Sequence, residues 1–233
     1  MATGLQTIVN SSNGLAIDRR KVVGIQYTRN QIPRVSQTPT LNPWIFTLDM
    51  PSRFRYSQAR ALMEQIDTLD RITPQIITFS DDSRFSWMFR YQGAMNSTQL
   101  NSITVTSWVG NQLTLNVSGI TASSTAVIFE QNDLIQIGSL NEYPYPVTST
   151  TQILRGSSST VVVTTSRPNI LTGTLTGEGI IVGNACQFNM FCPNMPTYKL
   201  IVGGAVLSGN TVLNNALIEW SDSFTLYEFV GDA

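Results

Sequence analysis

Six carboxylates are the first place to look for chemistry, because the 233-residue chain contains no histidine. Without imidazole there is no Ser-His-Asp triad, no Cys-His dyad, no His metal ligand and no unperturbed side chain that changes charge near neutral pH. Hydrolysis by paired carboxylates is the chemistry that remains, as in many glycosidases. The candidates are Asp49, Asp81, Asp82, Glu130, Asp133 and Glu142. No spacing among them sets two carboxylates opposite each other. Asp81-Asp82 falls in a predicted hairpin turn, where Asp is favoured for backbone reasons. No catalytic residue follows from this pattern, and the expectation is a protein that is not an enzyme.

Other chemistries are as sparsely supported. Cys186 and Cys192 stand six residues apart in CQFNMFC. On one extended strand they lie about 20 Å apart, beyond the roughly 7 Å that a disulfide tolerates. Two buried free thiols are expected, and two cysteines alone make no structural zinc site. Glu64 and Asp67 share a predicted helix face with Arg60 and Arg71, which reads as a solvated face. There is no twelve-residue calcium loop and no Gly-rich phosphate loop ending in Lys-Ser or Lys-Thr, so neither metal nor cofactor is expected. Gly173, Gly177, Gly179 and Gly183 read as turn or bulge glycines. Asn10, Asn96 and Asn116 begin Asn-x-Ser/Thr triplets that read as chance matches. The densest basic cluster is Arg19-Arg20-Lys21, flanked by Asp18 and lacking interleaved aromatics. It suits an acidic neighbouring subunit better than a nucleic acid. The aromatic loop Tyr143-Pro144-Tyr145-Pro146 is the one feature that points to carbohydrate.

Composition narrows the class. Charged residues make up 12% of the chain, about half of the roughly 25% usual in soluble domains. Ser, Thr and Asn account for 67 of 233 residues. A polar, weakly charged surface suits contact with other proteins, since interface cores are depleted in charge. A net charge of −1 and a pI near 5.4 oppose general nucleic-acid binding. No apolar run approaches the roughly 18 residues of a membrane span. Met1–Leu5 does not begin a signal peptide, which leads to an expectation of cytoplasmic synthesis. Charge is uneven: residues 1–100 carry a net +4 and residues 101–233 a net −5.

The elements that must position these residues are mostly strands. KVVGIQYTRN alternates, and NPWIFTLDM sets Trp44, Phe46 and Leu48 on one face. PQIITFS and RFSWMFRYQGAM read as strands joined by a turn at Ser80–Ser83, the second placing Phe85, Trp87, Phe89 and Tyr91 together. These aromatics and Trp220 read as core. YSQARALMEQIDTLDR is helical over 57–71, with Ala59, Leu62, Met63, Ile66 and Leu69 on its apolar face and Pro74 beyond its end. Short strands with regular turns follow residue 100. The first pair flanks Val109-Gly110-Asn111, a hairpin signal. GEGIIVGNACQFNMF reads as one longer extended piece. SFTLYEFVG sets Phe224, Leu226 and Glu228 on one face. The predicted fold is mainly β with one amphipathic helix. Residues 101–185 form a small β-barrel, inserted into a domain made of 1–100 and 186–233.

The stretch TLNPWIFTLDMPSRFRYSQARALMEQIDTLDRITPQIITFSDD resembles the opening module of tailed-phage distal tail and baseplate ring proteins. There a P-W-x-F/A strand leads to an amphipathic helix and then to a strand and turn. GNQLTLNVSG followed by FEQNDLIQIGSLNEYPYPVTSTTQIL is similar to the small barrel of that group, with Asn132 where the group has glycine before Asp133. IEWSDSFTLYEFVG resembles its closing strand pair. The resemblance implies a tail-tube-like β-barrel or sandwich carrying the second barrel. The implied role is a structural virion protein in a ring at the tail tube–baseplate junction. Its partners would be itself, in six-fold or three-fold symmetry, and neighbouring tube or baseplate proteins. Arg19, Arg20 and Lys21 are its candidate interface residues. The alternatives are another virion part (a fibre adaptor, neck ring or capsid decoration protein) or a carbohydrate-binding adhesin module.

Overall fold

Period-two patterning produces strands wherever the apolar positions find a common core, and the described residues are mainly β with three α-helices. The computed structural model describes residues 4–19, 23–27, 33–37, 43–51, 54–68, 73–80, 84–138, 143–171, 173–202 and 216–230. In chain order its first elements are α1 (Gly4–Ser11), β1 (Gly14–Asp18), β2 (Val23–Tyr27), β3 (Pro33–Gln37), β4 (Ile45–Asp49) and β5 (Phe54–Arg55). They are followed by α2 (Tyr56–Asp67), β6 (Gln75–Thr78), α3 (Ser97–Asn101), β7 (Thr104–Val109), β8 (Gln112–Asn116) and β9 (Val127–Phe129). The remainder are β10 (Leu134–Ile137), β11 (Tyr145–Pro146), β12 (Ile153–Leu154), β13 (Thr160–Thr164), β14 (Ile180–Val182), β15 (Gln187–Phe191), β16 (Tyr198–Val202), β17 (Ala216–Trp220) and β18 (Phe224–Glu228).

These elements group into two compact units. One comprises residues 1–18, 44–77 and 189–229; the other comprises 19–43, 78–188 and 230–233. The stretch 101–185 lies wholly in the second unit, which also takes in 19–43 and 78–100.

The first unit is built on a sheet of order β1-β4-β18-β15-β6. Trp44, Phe46 and Leu48 alternate into its core, as their spacing predicts, together with Phe224 and Leu226. The same alternation buries Glu228. Its carboxylate accepts the Trp44 N–H at 3.0 Å, and its own N–H donates to the Trp44 carbonyl at 2.8 Å. A buried acid is tolerated when hydrogen bonds replace its water. A second sheet, β16-β17-β5, supports α2. Met63 of α2 packs on Ile218, flanked by Tyr56, Tyr198 and Trp220. Arg60, Glu64 and Asp67 are exposed, as the solvated-face reading expects. The described helix ends at Asp67, and the Thr68 hydroxyl donates to the Glu64 carbonyl at 2.8 Å. Residues 69–72 and the side chains of Ala59, Leu62 and Ile66 lie outside the described residues.

The expectation of a single helix is corrected. α1 buries Leu5, Ile8 and Val9 and packs on α2. Gln75 Oε1 accepts the Leu5 N–H at 3.1 Å, which supplies an end-group partner that no neighbour in sequence provides. α3 is a short third helix. Asn96 accepts the Gln99 N–H at 2.9 Å while Gln99 accepts the Asn96 N–H at 2.9 Å, a reciprocal capping box.

The second unit contains the sheets β13-β8-β7 and β11-β10-β14 and the pairs β9–β12 and β2–β3. Its core gathers Ile103, Leu113, Leu115, Ile128, Phe129, Ile135, Ile137 and Val163. The β7–β8 hairpin turns at Gly110, whose φ of 57° suits glycine. The expected barrel does not close. Among the described residues the strands form separate open sheets, because several of them are two or three residues long and pair only once.

Two segments expected as strands are not. Ser86–Phe89 is a 3-10 turn, with the Met88 N–H on the Phe85 carbonyl at 3.0 Å. This turn separates Phe89, which is buried, from Trp87, which is 72% exposed. Burying Phe89 against Phe79 and Phe188, at centroid distances of 5.0 and 5.6 Å, outweighs the period-two preference. The long extended piece breaks at Gly183–Ala185, a second 3-10 turn. Residues 81–83, which carry the expected hairpin turn, lie outside the described residues.

Candidate functional site

Asp133 is the candidate carboxylate with the most defined surroundings. It is 1% exposed and follows Asn132, which has a φ of 70°. Asn is one of the few side chains that adopts this left-handed conformation readily. The turn directs both Asp133 oxygens at main-chain donors. Oδ1 accepts the Gln92 N–H at 2.9 Å and Oδ2 accepts the Glu130 N–H at 2.8 Å. Burial raises the Asp133 carboxyl above its ordinary value. The two N–H donors oppose that shift, and the Glu130 charge adds to it. With both oxygens engaged by backbone, Asp133 ties residue 92 to the β9–β10 turn and offers no open acceptor to a substrate.

Of the other candidates, Glu130 lies near enough for its charge to act on Asp133, but its carboxylate is engaged elsewhere, and Asp49 is in the other unit. Glu130 is half-buried and accepts the Gln152 amide at 2.6 Å. Asp49 is exposed and accepts the Ser223 hydroxyl at 2.5 Å. Asp81, Asp82 and Glu142 lie outside the described residues. Among the described residues no three His, Cys, Asp or Glu side chains gather where a metal ion could sit. No helix among them is long and apolar enough to cross a membrane.

Cys186 and Cys192 are buried thiols that form no disulfide. Burial pushes the Cys186 thiol far above its usual range, and its Sγ donates to the Ile181 carbonyl at 3.4 Å. A thiol reacts as its thiolate. A disulfide-exchange reagent at pH 8 is therefore expected to titrate neither cysteine in the native protein and both in denaturant. Rapid native reaction of either would contradict this burial.

The aromatic loop is corrected as a carbohydrate platform. Tyr145 is fully buried, edge-on to Trp108 at 4.5 Å and beneath the Arg167 guanidinium at 4.9 Å. Its phenol oxygen accepts the Ile170 N–H at 3.3 Å. Arg167 is itself buried and donates to the Pro144 carbonyl at 3.1 Å. The loop is structural, and its Tyr-Pro alternation serves packing.

In the basic cluster, Arg19 donates to Asn132 Oδ1 at 2.9 Å, whereas Arg20 and Lys21 lie outside the described residues. The surface features that sequence reasoning missed are apolar. Leu200 and Ile201 are 46% and 43% exposed on β16, which forms an edge of its sheet among the described residues. Adjacent strand residues point to opposite faces, so β16 presents exposed apolar surface on both faces, Leu200 beside Tyr198, which packs against Met63 and Ile218, and Ile201 on the other. YKLIV alternates too weakly to reveal this, since only the pairing order identifies an edge. In the second unit Trp87 stands beside a 510 Å³ cleft lined by Ser86, Arg90, Tyr91 and Asn184. No protein-family model matches the chain, and no curated protein sequence matches it.

Proposed function

We propose that this chain is a structural virion protein of a phage tail, forming or joining a ring at the tube–baseplate junction through subunit–subunit contacts. The observation that carries the reading is β16. An edge strand with apolar side chains on both faces is a template for pairing with another chain, and monomeric proteins usually block such edges. Lys199 is the sole charge on this strand, and it pairs with Glu219 of β17 at 2.6 Å. The low charge content and the resemblance of the Thr40–Asp82 region to distal tail proteins support the same reading. A subunit whose contact surfaces differ closes into a ring when the rotation permits. The partners are other copies of the chain and adjacent tube or baseplate proteins, and the place of action is the virion tail.

Light scattering after size exclusion, with negative-stain images of each peak, tests this on the full chain. Closed three-fold or six-fold rings, or co-assembly with a tail-tube protein, are expected. Leu200→Lys combined with Ile201→Lys places charge on both faces of β16. It is expected to weaken association by about a hundredfold, as loss of two partly buried aliphatic contacts would. Both positions are exposed in the isolated chain, so its circular dichroism is expected to stay unchanged. A monomer at all concentrations, both alone and with the tube protein, would overturn the proposal.

A further inference from the structure

The cleft beside Trp87 has the features of a small-ligand site. Its floor is rigid. Phe89, one residue before Arg90, is locked into the three-ring cluster with Phe79 and Phe188. The Tyr91 phenol donates to the Ile128 carbonyl and accepts the Met95 N–H at 3.4 Å, so its ring is a wall rather than a donor to the cleft. The next residue, Gln92, is held by Asp133. The opposite lip is the Gly183–Ala185 turn. Gly183 has a φ of 72°, and a Cβ there would lie 2.8 Å from the Tyr91 main-chain nitrogen. Only glycine allows this close approach, which brings Asn184 to the cleft.

What stands on this floor is an indole and a guanidinium without partners among the described residues. Trp87 is 72% exposed, and Arg90 is exposed with no hydrogen bond or ion pair from its side chain. Ser86 and Asn184 add a hydroxyl and an amide to the lining. A volume of 510 Å³ falls within the range of small-molecule sites. Among the described residues no carboxylate lines the cleft, and burial raises the Tyr91 phenol to about 12, so Arg90 is the one charge that the described lining carries at neutral pH.

We infer that this cleft binds an acidic pyranose, a hexuronate unit of a polysaccharide, with the sugar ring on the Trp87 face and its carboxylate on Arg90. The apolar C–H face of a pyranose suits an exposed indole that no other ring covers. Its hydroxyls suit Ser86 and Asn184, and guanidinium pairs with carboxylate in a two-point fork. A nucleotide would also combine stacking with Arg. Continuous nucleic acid, however, needs a basic track along its backbone, and this chain has a net charge of −1. The inference stands independently of the ring assignment, because it concerns a site on one subunit.

The test is an NMR titration of the full ¹⁵N-labelled chain. Its four tryptophans give four indole signals, and Trp87 is assigned by its loss in Trp87→Phe. Trigalacturonate is expected to shift the Trp87 indole signal and the Ser86 and Asn184 backbone amides, with affinity reduced at least about tenfold by Arg90→Ala and, read at those amides, abolished by Trp87→Ala. Maltotriose, which lacks the carboxylate, is expected to bind at least about tenfold more weakly and to be insensitive to Arg90→Ala. No shift with trigalacturonate at about 10 mM, where millimolar affinity would still register, overturns the inference. So does equal binding of maltotriose, or tighter binding of oligothymidylate at the same indole. Unchanged melting of the variants confirms their fold, and the titration of the unaltered chain decides the matter without them.

Discussion

Asp133→Asn is expected to destabilise the protein by about 2–4 kcal/mol despite being nearly isosteric. The carboxylate uses both oxygens, Oδ1 for the Gln92 N–H and Oδ2 for the Glu130 N–H. An amide presents one oxygen and one NH₂ group, so a buried N–H faces another donor in either orientation. A buried donor left unsatisfied costs about 1–3 kcal/mol, and the donor–donor clash adds to it. The pH dependence has a definite sign. Burial raises the Asp133 carboxyl above its ordinary value, so the native state binds the proton more tightly than the unfolded chain does. That contribution is fully present below the unfolded value of about 3.9. It is lost as pH rises through the native value. Urea unfolding of both proteins over a pH series, followed at the indole NMR signal of Trp108 in the second unit, measures this. Their stability difference is expected to narrow as pH rises from about 4 and then to level off. A difference that widens over that window contradicts the dominance of burial over the two N–H donors, and a loss under about 1 kcal/mol throughout contradicts the geometry.

Phe46→Ala is expected to cost about 3–5 kcal/mol, the range for removing a fully buried phenylalanine. Phe46 is completely buried on β4, between Ile17 of β1 and Leu226 of β18, with its ring centroid 5.8 Å from that of Trp44. The centre of a sheet cannot collapse around the lost ring without shifting two strand pairings. The protein has two compact units, so a single unfolding free energy is not the right readout. Amide exchange resolves it by position. Protection at Phe46–Leu48 and Thr225–Tyr227 is expected to fall by at least about a hundredfold, the equivalent of 2.7 kcal/mol. Unchanged protection there would place the Phe46 side chain outside the core.

Much of the fold is legible where one physical signal acts alone. Helix α2 follows from its three- and four-residue apolar spacing. The β7–β8 hairpin follows from Gly110 between two alternating runs. The inward set Trp44, Phe46, Leu48, Phe224 and Leu226 follows from period two. Helix α1 was accessible by the same rule, since Leu5, Ile8 and Val9 have helical spacing, but eight residues carry too few turns to separate that pattern from a loop. At Phe85–Tyr91 the alternation pointed to a strand. A 3-10 turn prevailed because it buries Phe89 against Phe79 and Phe188, partners distant in sequence.

The candidate surfaces were less legible than the core. Exposure of Leu200 and Ile201 depends on which strand lies beside β16, and the Trp87 cleft on a turn about 95 residues further along the chain meeting the Tyr91 backbone. Composition alone determined that chemistry based on histidine is absent and that the surface is sparsely charged. Local patterning determined a mainly β chain with its principal helix, because periodicity is a property of neighbours along the chain. Tertiary structure alone decided that Asp133, Glu228 and Arg167 are buried and that Tyr145 is core rather than platform. Burial depends on which distant residues supply the compensating hydrogen bonds, and those partners are specified by packing, not by spacing.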